Sequence, residues 1–316
     1  MGEFDLIERF FKRPARRSPL GVGDDCALLE PAPGMQLAVS SDMLVEGRHF
    51  LSTVDPARLG HKALAVNLSD LAACGAKPLA FTLALALPAV DEAWLEAFSR
   101  GLFALADAHG CELVGGDTTR GPLNLCITVF GEVPAGGALL RSGAQAGDEI
   151  WVSGTLGDAR LALEVFRGKL ALPAAQFEQA RLRMEQPEPR VALGQALRGI
   201  ATAAIDLSDG LVGDLDHVLR ASGVGAQVDA DAAAKLMATE GLALEARRTY
   251  VLSGGDDYEL LFTAPSTARH AVLEAGRRTG TPVARIGRIE AEPGLRIVEA
   301  GGAPLAQRFT AFDHFA

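Results

Sequence analysis

"AAIDLSDGL", residues 203–211, reads as a covered strand that passes through a polar turn straight into a helix. The apolar residues up to Ile205 suit a buried strand. Asp206, Ser208, Asp209 and Gly210 form the turn, and a helix is expected over about 211–222. A strand handing over to a helix is the building unit of layered α/β and α+β proteins. One grammar recurs along the chain: an apolar segment, then Gly or Ser, then Asp. Asp24 and Asp25 follow Gly21-Val22-Gly23, Asp42 closes "SSD", and Asp70 sits in "NLSDLA". Asp117 follows Gly115-Gly116, and Asp256 and Asp257 follow Gly254-Gly255.

Outward from this stretch, strands and helices alternate in both halves. Helices are expected over 3–13, 55–75 and 91–110, and strands over 36–42, 79–87, 111–117 and 123–133. The segment 91–110 has the clearest helical period, with Trp94, Leu95, Phe98, Leu102, Leu105 and Ala106 on one stripe and Gly110 as the stop. Residues 134–148 are rich in Pro, Gly and Ala and have no period, which marks a domain boundary. Beyond it, strands are expected at 149–154, 258–264, 283–289 and 294–300, with helices from about 156, at 173–185 and at 189–199. The expected fold class is a two-domain α+β / α/β protein, with domains 1–137 and 138–316.

Composition narrows the function. Of 316 residues, 48% are hydrophobic, enough for a real core in each domain. A formal charge of −10 argues against a non-specific nucleic-acid binder, which needs a basic face. The four cysteines include no CxxC pair, so neither a zinc site nor a redox motif is indicated, and free buried thiols are expected. The longest apolar run, 79–90, contains a proline and is too short to span a bilayer, and residues 1–13 lack the features of a signal peptide. The expectation is a cytoplasmic protein with no membrane partner.

The aspartates carry the chemistry. Each alone is an ordinary cap or turn residue. As a set they are less easily explained, because a cap needs neither a Gly-Gly step, nor two adjacent acids, nor an Asp inside a helix such as Asp70. Carboxylates gathered without matching Lys and Arg require cations. Oxygen donors without a His or Cys cluster point to Mg²⁺, Ca²⁺ or Mn²⁺. Mg²⁺ commonly joins one or two carboxylates to substrate phosphates, and glycines let backbone amides approach a phosphate. Several Mg²⁺ ions on a polyphosphate is the reading. No P-loop or protein-kinase catalytic loop is present, and "GVGDD" lacks the third glycine of a dinucleotide fingerprint.

"GEFDLIERFF", "GVGDDCALL", "SSDMLVEGRHF", "KALAVNLSDLAACGAKP", "GGDTTRGP", "AIDLSDGL" and "SGGDDYELLFT" occur in that order. Together they resemble the thiamine-monophosphate kinases of the aminoimidazole ribonucleotide synthetase-like superfamily, from about residue 3 to the C-terminal "FDHFA". The resemblance implies ATP-dependent phosphorylation of thiamine monophosphate to thiamine diphosphate by direct in-line transfer, assisted by several Mg²⁺ ions. No general base is required, because a phosphate oxygen is already a nucleophile. It also implies an N-terminal α+β domain that binds ATP and metal and forms a barrel across a homodimer, covered by a C-terminal α/β domain.

Carried over residue by residue, the resemblance places Asp25, Ser40, Ser41, Asp42, Asp70, Asp117, Asp206 and Asp209 at magnesium. It places Gly116, Asp117, Arg141 and Ser208 at ATP, and His49, Asp256 and Phe312 at thiamine phosphate. Asp24 is the weaker ligand of its pair. Two departures stand out: Asp256 where the family commonly has Glu, and Phe312 where a larger or polar aromatic is frequent. The alternatives are another ATP-using superfamily member and a metal-dependent phosphatase. A Ca²⁺-binding module would need a D-x-[DN]-x-[DN]-G loop, which the chain lacks.

Overall fold

The computed structural model describes residues 2–15, 18, 20–22, 26–307 and 309. The chain divides into two compact units: Met1–Leu71 with Ala76–Gly136, and Ala72–Gly75 with Gly137–Ala316.

The first unit contains α1 (Glu3–Phe10), β1 (Met35–Val45), α2 (Pro56–Ala73) except its last two residues, β2 (Lys77–Leu87), α3 (Glu92–His109), β3 (Glu112–Arg120) and β4 (Asn124–Pro134). Its sheet has the order β1-β4-β2-β3. β4 is antiparallel to both β1 and β2, and β3 is parallel to β2. Strand alternation gives the sheet one covered face. Leu83, Leu85 and Leu87 of β2 and Leu125, Ile127 and Val129 of β4 are buried, as are Leu64, Leu68 and Leu71 of α2 and Leu95, Phe98 and Leu102 of α3. On the other face Leu37, Val39 and Met43 of β1 are exposed.

Two glycines let α2 and α3 touch backbone to backbone. A Cβ at Gly60 would lie 2.1 Å from the Phe98 carbonyl oxygen, and one at Gly101 would lie 1.8 Å from that of Ala57. α1 is fastened to α3 from outside, by Arg9 to Glu92 at 2.6 Å and by Arg13 to Asp107 at 3.1 Å, with the Arg13 guanidinium 3.7 Å above the Phe103 ring.

The second unit contains β5 (Glu149–Ser153), α4 (Asp158–Phe166), α5 (Ala174–Glu185), α6 (Val191–Ala196), β6 (Ala203–Asp206), α7 (Leu211–Ser222), β7 (Gly225–Asp229), α8 (Ala230–Ala234), α9 (Leu244–Ser253), β8 (Leu260–Ala264), α10 (Arg269–Arg278), β9 (Val283–Glu290) and β10 (Gly294–Val298). Its mixed sheet runs β10-β7-β9-β5-β8-β6. β5, β6 and β8 are buried throughout, and their sequences are mostly apolar, with Glu149, Ser153, Asp206 and Thr263 as buried polar exceptions.

The two-domain layered α/β class expected from the alternation is observed. β7, α8, α9 and α10 were not legible in the sequence. β7 reads Gly-Ala-Gln-Val-Asp and pairs on both sides, so tertiary pairing makes it a strand. α10 buries only Val272, Ala275 and Gly276, too few for a stripe. Of the four thiols only Cys111 is buried; Cys26 is exposed and Cys74 and Cys126 are intermediate, which corrects the expectation of buried thiols. Among the described residues, no helix is long and apolar enough to cross a membrane.

Helix propensity alone says Gly101→Ala should stabilise α3 by about 1 kcal/mol. Contact with the Ala57 carbonyl must instead push the helices apart, a strain of about 1–3 kcal/mol or more. Denaturant unfolding of Gly101→Ala is expected to show a net loss of stability; a gain would contradict the packing.

Candidate active site

In the first unit the site begins at the outer strand β1. Ser40 and Asp42 alternate onto the covered side of the sheet, towards α2. The Ser40 hydroxyl donates to Asp70 Oδ2 at 2.5 Å. One turn earlier on α2, buried Asn67 accepts the Asp42 N–H on Oδ1 at 3.1 Å and donates Nδ2 to the Ala63 carbonyl at 3.0 Å. Asn67 therefore ties the free edge of β1 to α2 and fixes the register in which Ser40 meets Asp70. Ser41 faces the other way; its hydroxyl donates to the Ile127 carbonyl at 3.2 Å and lies 3.0 Å from Thr128 Oγ1. His49 follows β1 in a turn closed on Val45. Its Nδ1 accepts the Val45 N–H at 2.9 Å, which leaves the proton of a neutral ring on Nε2.

Gly116 and Asp117 stand on β3, the opposite outer strand. Asp117 pairs with Ala84, which pairs with Cys126, which pairs with Met43. Asp117 thus belongs to the open face and is three strand spacings from β1, about 14 Å. The first unit brings Ser40, Asp42 and Asp70 together and keeps Asp117 apart. Among the described residues, no three His, Cys, Asp or Glu side chains are grouped to hold a metal ion. Asp24, Asp25 and Phe312 lie outside the described residues.

In the second unit two loops form one body. Asp206 ends β6 and is 6% exposed. The Leu207 N–H donates to the Glu259 carbonyl and the Tyr258 N–H to the Leu207 carbonyl, both at 2.8 Å, and the Asp256 N–H donates to the Ser208 carbonyl at 2.7 Å. Asp256 and Tyr258 hold left-handed backbone, φ 69° and 51°. Such strain in residues with side chains persists only where surroundings impose it, and it clusters at functional sites. A Cβ at Gly255 would lie 2.3 Å from the Ser208 carbonyl oxygen, and one at Gly116, where φ is +149°, would lie 1.9 Å from that of Leu83. Both glycines are therefore required by close approach within the chain itself.

Buried carboxylates surround this body, and sequence reasoning did not assign them. Asp214, in the first turn of α7, accepts the Asp209 and Gly210 N–H groups on one oxygen, both at 3.1 Å. Burial, and next the Asp209 charge, push its carboxyl up to about 7 against the pull of these amides. Asp257 accepts the Gly157 N–H at 2.9 Å; its burial pushes the carboxyl well above the ordinary value, more than that amide and Arg183 lower it. Glu259, fully buried, meets Arg183 and Arg190 at 2.7 Å and the Ser153 hydroxyl at 2.6 Å. The available sequence signal was an acid at the start of a helix, for Asp214, and the two acids after Gly-Gly. Arg141 is exposed and stands at the start of β6, where neighbouring Leu140 accepts the Ala204 N–H at 2.8 Å; Asp206 is at the far end of that strand.

The donor set is hydroxyl and carboxylate oxygen, with helix- and sheet-bound atoms holding each loop. This suits a hard cation such as Mg²⁺ and a phosphorylated substrate.

Residues 23–133 match the family of AIR synthase related protein, N-terminal domain, and residues 145–299 match the corresponding C-terminal domain. A thiamine-monophosphate kinase of Salmonella typhimurium is 50% identical, over 100% of this chain and 98% of its own length. The crystal structure of thiamine-monophosphate kinase from Stenotrophomonas maltophilia K279a is 46% identical, with a TM-score of 0.85 and 96% of each chain covered. A structure of AaThiL complexed with AMPPCP and TMP is 29% identical, with a TM-score of 0.76, covering 99% of this chain and 96% of that one.

Two outcomes follow from the geometry. Gly116→Ala places a methyl group on a carbonyl oxygen and is expected to cost about 1–3 kcal/mol in thermal or denaturant unfolding; an unchanged midpoint would contradict the close approach. Because the Asp257 carboxyl binds its proton more tightly in the folded than in the unfolded chain, its contribution is present below the ordinary value of 3.8 and is lost as pH rises through the raised folded value. Melting temperatures of the wild type should therefore fall relative to Asp257→Asn between weakly acidic and alkaline pH; parallel curves would refute that sign.

Proposed function

The chain belongs to the thiamine-monophosphate kinases of the AIR synthase related family and phosphorylates thiamine monophosphate with ATP; we propose that it does so by direct in-line transfer supported by Mg²⁺ ions on its strand-end aspartates. The observation that carries the reaction is full-length agreement in sequence and fold with kinases of that name, one of which was solved with AMPPCP and TMP.

The residues suited to magnesium are Ser40, Ser41, Asp42, Asp70 and Asp117 in the first unit, Asp206 and Asp209 in the second, and Asp25 outside the described residues. Ser41 and Asp117 belong to that set by resemblance alone, since the Ser41 hydroxyl is engaged on the other face of β1 and Asp117 stands on that open face of β3. Bound there, Mg²⁺ would neutralise the phosphates and lower the repulsion between two anionic substrates. The chain's own part is positioning. Ser40 orients Asp70, Asn67 holds Asp42, and the left-handed turn at Asp256 aims its side chain from a fixed backbone. Gly116, Asp117, Arg141 and Ser208 are assigned to ATP, and His49, Asp256 and Phe312 to thiamine phosphate. The Nε2–H of a neutral His49 ring suits a phosphate oxygen. The exposed apolar residues Leu37, Val39 and Met43 support a homodimer in which a second copy covers this face and closes a barrel. The proposal has the enzyme act in the cytoplasm, without nucleic acid or membrane.

Asp70→Asn tests the assignment. The amide keeps an oxygen for the Ser40 hydroxyl, so melting should be unchanged, while thiamine-monophosphate-dependent ATP consumption should fall by about 100-fold. Full activity would remove Asp70 from the metal site. A large loss of thermal stability would make its role structural.

A further inference from the structure

We infer that Asp214 is the positioning residue that sets Asp209 at the metal–phosphate site, an inference that rests on the kinase reading above. The turn 206–210 is held unevenly. Its first part is locked to the strand that follows Asp257: Leu207 exchanges hydrogen bonds with Glu259 and Tyr258, and the Ser208 carbonyl receives the Asp256 N–H. This ladder ends at Ser208. The N–H groups of Asp209 and Gly210 point instead to a single oxygen, Asp214 Oδ2. Asp214 is itself fixed, because it is 3% exposed and its own N–H donates to the Gly210 carbonyl at 3.0 Å. Gly210 has φ +114°, and a Cβ there would lie 2.9 Å from the Gly254 carbonyl oxygen, so the turn has little room to shift on that side.

Four residues separate Asp209 from Asp214, and the first turn of α7 bends the carboxylate back onto the turn that precedes it. A free backbone at 209–210 would let the Asp209 carboxylate wander while leaving Asp206 on its strand. Asp214 needs no contact with metal or substrate for this; it acts through two amides. The property that matters is an acceptor oxygen at that place, which Asn also supplies and Ala and Ser do not, the Ser hydroxyl being one bond too short.

The test compares wild type, Asp214→Asn, Asp214→Ala, Asp214→Ser and a remote core variant, Val228→Ala on β7. Magnesium chloride is titrated calorimetrically into each protein with AMPPCP present, and amide exchange at residues 209 and 210 is followed by mass spectrometry. Asp214→Ala and Asp214→Ser are expected to weaken magnesium binding by about 10- to 100-fold and to lose protection at 209–210, which local opening governs. Asp214→Asn should stay within about twofold of wild type, since it retains the acceptor. Val228→Ala should lose thermal stability with magnesium affinity intact. If Ala fails to fold, Ser and Asn carry the comparison; failure of both Ala and Ser leaves Asn, whose loss of magnesium affinity would overturn the inference. Ala or Ser binding magnesium as tightly as wild type would also overturn it, as would equal weakening in Val228→Ala. A wild type that takes up no magnesium with AMPPCP would instead sink the kinase reading.

Discussion

A backbone N–H that leaves a sheet and is shielded from water must still find an acceptor. In this chain that constraint is met at key places by side-chain oxygens beside the candidate ligands. Asn67 takes the amide of Asp42, Asp214 takes those of Asp209 and Gly210, and Asp257 takes that of Gly157 at the start of α4. Each bond is individually modest, about 1 kcal/mol net, but leaving such an amide unpaired costs about 1–3 kcal/mol. The same oxygens that satisfy the backbone therefore fix where the neighbouring carboxylates stand. This separates two kinds of acid that look alike in sequence: buried acceptors that hold loops, and candidate ligand acids near strand ends, of which Asp42 and Asp209 are half-buried, Asp117 is exposed and Asp206 is buried.

The adjacent pair Asp256-Asp257 shows the division most clearly. Asp257 turns inward, is 3% exposed and holds the start of α4. Asp256 takes the left-handed turn and is held through its backbone by Ser208. Glu259, two residues on, fastens the following strand to Arg183 and Arg190 from full burial. Breaking such a buried, paired charge is far more costly than breaking an exposed one.

Much of this was legible in the sequence because the elements obey strong periods. The helix 91–110, the strands rich in apolar residues and the Pro/Gly-rich break are local signals, and the order of seven motifs carried the family. Other features were not legible because they depend on pairing or on closeness. β7 is a strand because β9 and β10 flank it. Gly60, Gly101, Gly116 and Gly255 are glycines because a carbonyl lies where a Cβ would go, and a sequence does not show the neighbour. Ser40, Ser41 and Asp42 read as one cluster, yet strand alternation turns Ser41 away. Asp117 reads like Asp42 but stands on the opposite outer strand and the opposite face.

The most direct measurement of the central claim follows the phosphoryl group. The protein is incubated with magnesium, thiamine monophosphate and ATP labelled in its γ-phosphate. The account predicts that the label appears in thiamine diphosphate, and that little free phosphate is released when thiamine monophosphate is omitted. Label released as free phosphate at the same rate with and without thiamine monophosphate would contradict it.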